Sequence, residues 1–309
     1  MLKNGDYYKF FKLRHHPNTQ EPWVEVEYSG GEDIHLFIDF VNRFTNLSRL
    51  DPEKIAFLFR GQSDDTWRLL PKLWRHLPDV EPAAALMIEY DSILFFRRRA
   101  HLHLDAKCLP TPDSQFEWLP LMQHYGAPTR MLDWTTSFTV ALYFAVADEP
   151  LNKPGAVWFF DVHRLIRWME QKDYSPHAPS KYSEIMADET SFVKYGTEEA
   201  RPNIWPYYPD SPTERMLRQQ GILTFSERPC CEQTDLIGNC LWELSSSDQS
   251  CMPLMKMVIP RDAKPKLREY LNKLDISAAT LFAGLDGLGR AVSEIMKVES
   301  ETFHKKATP

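Results

Sequence analysis

Cysteine is scarce and irregularly placed: Cys108, Cys230, Cys231, Cys240 and Cys251 form an odd set with no C-x-x-C pair and no histidine at ligand spacing. That argues against a zinc module and against a disulfide framework, so no metal is expected and a reducing compartment is. Also missing is any apolar run approaching membrane-spanning length, and the opening Met1-Leu-Lys-Asn-Gly-Asp-Tyr-Tyr has no apolar core region of the kind a secretory signal needs. The expectation is a cytoplasmic protein without a membrane partner. Positive charge is in deficit as well, with a formal net charge of −7 and a pI near 5.8. No global field recruits nucleic acid, although a local basic groove could. Internal repeats and low-complexity linkers are absent from the sequence.

What the chain does have is an ordinary globular balance, 43% hydrophobic and 26% charged over 309 residues, enough to bury a proper core. One α+β domain is the economical reading: residues 1–32 as an N-terminal extension, 33–296 as the domain, 297–309 as a polar tail. Trp23 to Tyr28 alternates apolar and charged residues as an edge strand would, and apolar positions from Asp33 to Leu47 share one helical face. Ile55 to Gln62 reads as a buried strand, and Glu81 to Arg99 as a long helix closed by Arg97-Arg-Arg99. That basic cluster is either a solvated face or a phosphate contact. Ala156 to Val162 suits the middle of a sheet, residues 163–212 read as a long excursion covering a cleft, and Ile222 to Ser226 and Leu254 to Pro260 as strands. Cys230 to Cys251 reads as turn-rich, Asp262 to Lys273 as a helix, and Ser277 to Met296 as a final helix carrying Leu281, Leu285, Leu288 and Val292.

Chemistry concentrates between Gln123 and Ala145, where His124, Tyr125, Thr129, Arg130, Asp133, Trp134, Thr135 and Tyr143 crowd into one run. Gly126-Ala-Pro128 breaks a helix, Thr129 to Trp134 is short enough for a strand, and Thr136 or Ser137 can cap the next helix. The plain alternative makes the aromatics core and Arg130 and Asp133 a structural ion pair. Upstream, Arg60 ends an apolar strand: either it snorkels to the surface, or it binds an anion while Gly61 lets the ligand approach the backbone.

Phe59-Arg-Gly-Gln62, His124-Tyr-Gly-Ala-Pro-Thr-Arg-Met-Leu-Asp-Trp-Thr135 and Ala141-Leu-Tyr-Phe-Ala145 together resemble the FRG domain family, named for its Phe/Tyr-Arg-Gly signature. Further landmarks resemble it at Arg215-Met-Leu-Arg-Gln-Gln-Gly221, at Val258-Ile-Pro260 and from Thr280 to Leu288. The resemblance implies a fold similar to divergent ADP-ribosyltransferases, NAD as co-substrate, and a toxin role in bacterial antiphage or toxin–antitoxin systems, with a neutralising antitoxin protein as partner. Carried over residue by residue, Arg60 falls at the NAD-anchoring position, Thr135 or Thr136 at the hydroxyl position and Tyr143 at a stacking position. The late-strand glutamate position falls at Gln219 or Gln220, a departure, because glutamine cannot take a proton. Asp133, Glu198, Glu199 or Glu214 are the carboxylates that could serve instead.

Cleaving a nicotinamide–ribose bond requires a held diphosphate, a clamped nicotinamide and negative charge against the ribose. Arg60 and Arg130 suit the first task, Tyr125, Trp134 and Tyr143 the second, and Asp133 the third, while His124 could orient a ribose hydroxyl or act as acid or base. The candidate NAD contacts are Arg60, Gly61, Gln62, Tyr125, Thr129, Arg130, Trp134, Thr135 and Tyr143, and Arg60, His124, Asp133, Tyr143 and Gln220 are the catalytic set. The leading expectation is an ADP-ribosyltransferase modifying RNA or protein. A non-catalytic nucleotide-binding module and a metal-independent nuclease built on His124, Arg130 and Asp133 are the alternatives.

Overall fold

The computed structural model describes residues 11–15, 21–28, 57–110, 117–147, 152–174, 185, 188–201, 203–209, 212–247 and 252–307. The helix expected between Asp33 and Leu47 lies outside them, as do Ile55 and Cys251. In chain order the strands are β1 (Phe11–His15), β2 (Trp23–Tyr28), β3 (Phe57–Gln62), β4 (Leu132–Thr135), β5 (Gly155–Asp161), β6 (Trp205–Tyr207), β7 (Gly221–Phe225) and β8 (Leu254–Ile259). The principal helices are α1 (Lys72–His76), α2 (Pro82–Ala100), α3 (Trp118–His124), α4 (Phe138–Val146), α5 (Val162–Gln171), α6 (Glu189–Lys194), α7 (Glu214–Arg218), α8 (Gln233–Ser247), α9 (Lys264–Lys273), α10 (Ala278–Leu281) and α11 (Gly284–Ala307).

The strands form one mixed sheet in the order β1-β2-β8-β5-β3-β4-β7-β6, with β2 and β8 parallel and every other neighbouring pair antiparallel. Alternation along the central strands supplies two cores, as a pleated ribbon buried on both faces must. Phe59, Val157, Phe159 and Met257 face one side, under α4 and α9, while Leu58, Trp158, Phe160 and Trp134 face the other, under α5 and α8. Ser137 caps α4 by accepting from the Val140 amide, and Asp161 caps α5 through the amides of His163 and Arg164.

The glycine of the Arg-Gly pair is explained by this packing. A Cβ on Gly61 would lie 1.8 Å from the Ala141 carbonyl oxygen and 2.8 Å from the Ala145 nitrogen, so its missing side chain admits helix α4 rather than a ligand. Gly155 on the neighbouring strand meets the Ala145 carbonyl in the same way, at 2.2 Å.

Several expectations are corrected. The N-terminal stretch is not an appendage: β2 sits inside the sheet between β1 and β8, with Trp23 and Tyr28 buried. The excursion over 163–212 contributes α5, α6, a π-helical turn at Tyr195–Glu199 and edge strand β6. The stretch read as turn-rich is largely α8, whose Ile237, Cys240 and Leu241 enter the core. The last helix is broken at Phe282 to Gly284, where Gly284 takes φ +67°, and α11 then continues to Ala307 through the stretch read as tail. Leu285, Leu288 and Val292, expected as that helix's apolar face, are 84%, 55% and 55% exposed.

Candidate functional site

Strand β3 pairs with β5 over its whole length, Phe57↔Asp161 to Gln62↔Ala156, but with β4 only at Phe59↔Thr135. Beyond that single rung the two strands part, and the split opens a cleft of about 490 Å³. Arg60 lies in the gap and donates from Nη1 to the Asp133 carbonyl oxygen at 2.6 Å, bridging strands whose backbones no longer meet. Its Nε–H is buried and finds no acceptor among the described residues. A buried guanidinium donor left unspent is costly unless something else accepts from it, so this corner is chemically suited to an anion. Burial lowers the pKa of Arg60, with Asp133 opposing and Arg75 adding to the shift, yet a guanidinium stays charged.

Around Arg60 the cleft is lined by three more arginines, Arg68, Arg75 and Arg215, and by the carboxylates of Asp133 and Glu232. Four cations against two anions leave an excess of positive charge suited to an anionic ligand. Trp67, 43% exposed, and Phe144 supply the aromatic surface. Asp133 is held by Gln123, whose Nε2 donates to Oδ1 at 2.7 Å, and the Gln123 carbonyl oxygen in turn accepts from the Thr129 hydroxyl. Glu232 pairs with Arg68, which also donates to Asp235 at 2.5 Å and lies over the Trp23 ring at 5.2 Å. Burial raises the pKa of Glu232, against the pull of Arg68.

Of the residues singled out from the sequence, Arg60, Gly61, Gln62, Asp133, Trp134 and Thr135 line this cleft. Several of them are occupied structurally. Gln62 accepts from the Trp158 indole at 2.9 Å. The Trp134 indole is turned into the core, donating to the Thr224 hydroxyl at 2.8 Å and meeting Phe160 edge-on, so it is no open stacking platform. The Thr135 hydroxyl ties β4 to the turn before β7 through the Gln219 carbonyl at 2.7 Å.

The others fall outside the lining. Arg130 is buried and bound bidentately by Glu89, with Nη1 donating to the Glu227 carbonyl at 3.0 Å, which removes it as a phosphate ligand and leaves the proposed His124–Arg130–Asp133 nuclease set unassembled. Tyr143 is a core residue whose hydroxyl reaches Glu294, and its neighbour Phe144 takes the position on the cleft wall. Thr129 acts one step back, through Gln123. His124 packs edge-on to the exposed Tyr125 at 4.9 Å, and burial together with Arg215 lowers its pKa. Gln220 sits at φ 49° and binds the Thr136 hydroxyl at 3.3 Å, while Gln219 is the glutamine on the cleft. Of the alternative carboxylates Asp133 lines the cleft, whereas Glu214 pairs with Arg218 on the surface, Glu198 and Glu199 are exposed, and none of these three lines it.

Sequence reasoning missed Trp67, Arg68, Arg75, Phe144, Arg215 and Glu232. Phe144 and Arg215 stood inside quoted landmarks, and Trp67, Arg68, Arg75 and Glu232 carried no spacing signal, because they come from segments that only the sheet brings together. Among the described residues, no three His, Cys, Asp or Glu side chains cluster as a metal site, and no helix is long and apolar enough to cross a membrane.

Neither the curated proteins nor the solved structures give a match to this chain. A family model does, over residues 55–153, a stretch that contains the Arg60 strand, the Gln123–Asp133 unit and Phe144 but not Arg215, Gln219 or Glu232. The matching model is the FRG domain, so over residues 55–153 the chain carries an FRG domain.

Proposed function

We propose that the protein is an NAD-dependent ADP-ribosyltransferase acting on a macromolecular acceptor, RNA or protein, in a bacterial toxin or antiphage setting, on a core similar to the ADP-ribosyltransferase fold. The observation that carries this reading is the unspent Nε–H of Arg60 in a cleft with three further arginines, an exposed tryptophan on its rim and two carboxylates. The dinucleotide supplies the ADP-ribosyl group and its labile bond to nicotinamide. Arg60, Arg75 and Arg215 bind the diphosphate, Trp67 and Phe144 cover an aromatic ring and exclude water, and Asp133, aimed by Gln123, presents negative charge to the ribose. Gln219 on the wall can hydrogen-bond a ribose hydroxyl but moves no proton, so Asp133 and Glu232 are the groups able to take one.

A second reading, a nucleotide-binding module without turnover, is favoured by the fact that both carboxylates already have partners, Gln123 on Asp133 and Arg68 on Glu232. Incubation with labelled NAD and cell extract separates the two. Transfer of label that fails in Arg60→Ala and in Asp133→Asn supports the enzyme, and RNase sensitivity of the product identifies an RNA acceptor. Calorimetric NAD binding with no transfer to any acceptor mixture supports the module, and no binding at all refutes both.

A further inference from the structure

Asp133 is held at two places. Its carbonyl oxygen accepts from Arg60 Nη1 at 2.6 Å, which ties its backbone across the split to β3, and its carboxylate Oδ1 accepts from Gln123 Nε2 at 2.7 Å, which ties its side chain to the end of α3. Neither Gln123 nor Thr129 lines the cleft, so whatever they contribute to it passes through Asp133.

A glutamine amide can turn either its N–H or its oxygen toward a neighbour, and the choice is made by the rest of its hydrogen bonds. Here the backbone makes that choice. The chain reverses after α3 at Gly126, φ +86°, and Thr129 comes back beside Gln123 with 2% of its surface exposed. Its hydroxyl oxygen accepts from the Met131 amide at 3.3 Å, the local turn that threonine makes with the backbone two residues on. A backbone N–H only donates, so the hydroxyl proton is left for Gln123 Oε1, the acceptor it meets. With that oxygen engaged, Nε2 is the end that faces Asp133. A glutamate at 123 would set two carboxylates against each other, whereas the amide delivers a donor.

We infer that Thr129 is a positioning residue of the cleft: through the one-way series Met131 N–H, Thr129 O–H and Gln123 N–H it fixes the Asp133 carboxylate, with Oδ1 tied back and Oδ2 left to meet the ligand. Oδ2 has no hydrogen-bond partner among the described residues. The inference rests on the proposed function only for what the carboxylate then does, which is to offset charge on the ribose. A catalytic group displaced by as little as an ångström can lose on the order of 100-fold in rate, so the side chains that lock it matter although they touch no ligand.

The test compares the full chain with Thr129→Val, which removes the hydroxyl at similar shape, with Thr129→Ser, which restores it, and with Gln123→Met, which removes the amide from a half-buried position at similar length. Circular dichroism checks that each variant folds. In ¹H–¹⁵N spectra recorded without NAD, the Gln123 side-chain amide, identified by its loss in Gln123→Met, is expected to move toward the position of an exposed glutamine in Thr129→Val and to keep its wild-type position in Thr129→Ser. In transfer of label from NAD, kcat falls by about 10- to 100-fold in Thr129→Val and Gln123→Met while KM stays within about twofold, and Thr129→Ser recovers most of the loss. Three results would overturn the inference: a Gln123 amide signal unmoved by Thr129→Val, a kcat unchanged in both Thr129→Val and Gln123→Met, or a loss in Thr129→Val that Thr129→Ser does not recover. A wild type that transfers no label refutes the enzyme reading alone, and the amide signal then decides the role of Thr129.

Discussion

Replacing Arg130 by methionine distinguishes a structural role from a ligand-binding role for the most motif-like arginine in the chain. Glu89 and Arg130 are 3% and 5% exposed, the guanidinium donates twice to the carboxylate and once to the Glu227 carbonyl, and it is ringed by Trp74, Phe192 and Phe225 at 5.5, 5.5 and 5.6 Å. Taking away the cation strands a buried carboxylate and a carbonyl, at a cost of about 3–5 kcal/mol. Against a domain stability on the order of 5–15 kcal/mol that is a large fraction, and it lowers Tm by roughly 5–8 °C for a chain of this size. In the double variant Glu89→Leu/Arg130→Met neither charge remains and packing against the three aromatics is largely kept, leaving mainly the Glu227 carbonyl unsatisfied, about 1–3 kcal/mol. Urea unfolding of the four proteins of this cycle yields a coupling energy, expected to exceed about 2 kcal/mol. The reasoning is refuted if Arg130→Met costs under about 1 kcal/mol while abolishing NAD binding, since the guanidinium would then serve a ligand and not Glu89.

Arg60→Ala is expected to do the reverse: NAD binding weakens by about 10- to 100-fold, the size of a lost charge-assisted hydrogen bond, while the urea midpoint changes little. An equal fall in stability would show that bridging to the Asp133 carbonyl is its main task. Gly61→Ala drives a methyl into the Ala141 carbonyl and should lose about 1–3 kcal/mol or more by overpacking; unchanged stability with lost ligand binding would restore the ligand-access role for this glycine. Leu285→Gln and Leu288→Gln, on the exposed face of α11, should each change stability by no more than about 0.5 kcal/mol, as equilibrium unfolding can check. For His124 the folded pKa lies below the ordinary histidine value, so both states are neutral above about pH 6.5, and as pH falls below that the unfolded chain binds the proton first and stability declines. An NMR titration should place its midpoint below that of a free histidine, and Arg215→Gln should raise it; no change on removing Arg215 would discard that source of the shift.

Local elements were legible wherever a periodic apolar pattern met a clear stop signal. The long helix α2, the capped helix α4 and the strands β3, β5, β7 and β8 all fall within a few residues of where the pattern put them. Helix α8 was missed because Thr, Asp, Gly and Asn dilute its apolar positions, and α11 was misjudged because an amphipathic stripe says that a face exists and not that anything covers it. Strand β1 pairs across a register that only the folded N-terminus defines.

For the site, the sequence alone determined that Arg60 would belong to a buried strand and that Asp133 would lie on a short strand with chemistry around it, since both follow from local pattern and breakers, but it ended the first of these strands too early: β3 continues past Arg60 to Gln62. It could not say which of two nearby arginines is free: Arg60 and Arg130 look alike in a string, and the difference is that Glu89, far away in sequence, reaches one and not the other. Nor could it find Arg68, Arg75, Arg215 or Glu232, which become neighbours only because β3 and β4 share one rung and then separate. Where two strands part is set by long-range pairing on either side of them, and no window of adjacent residues contains that information.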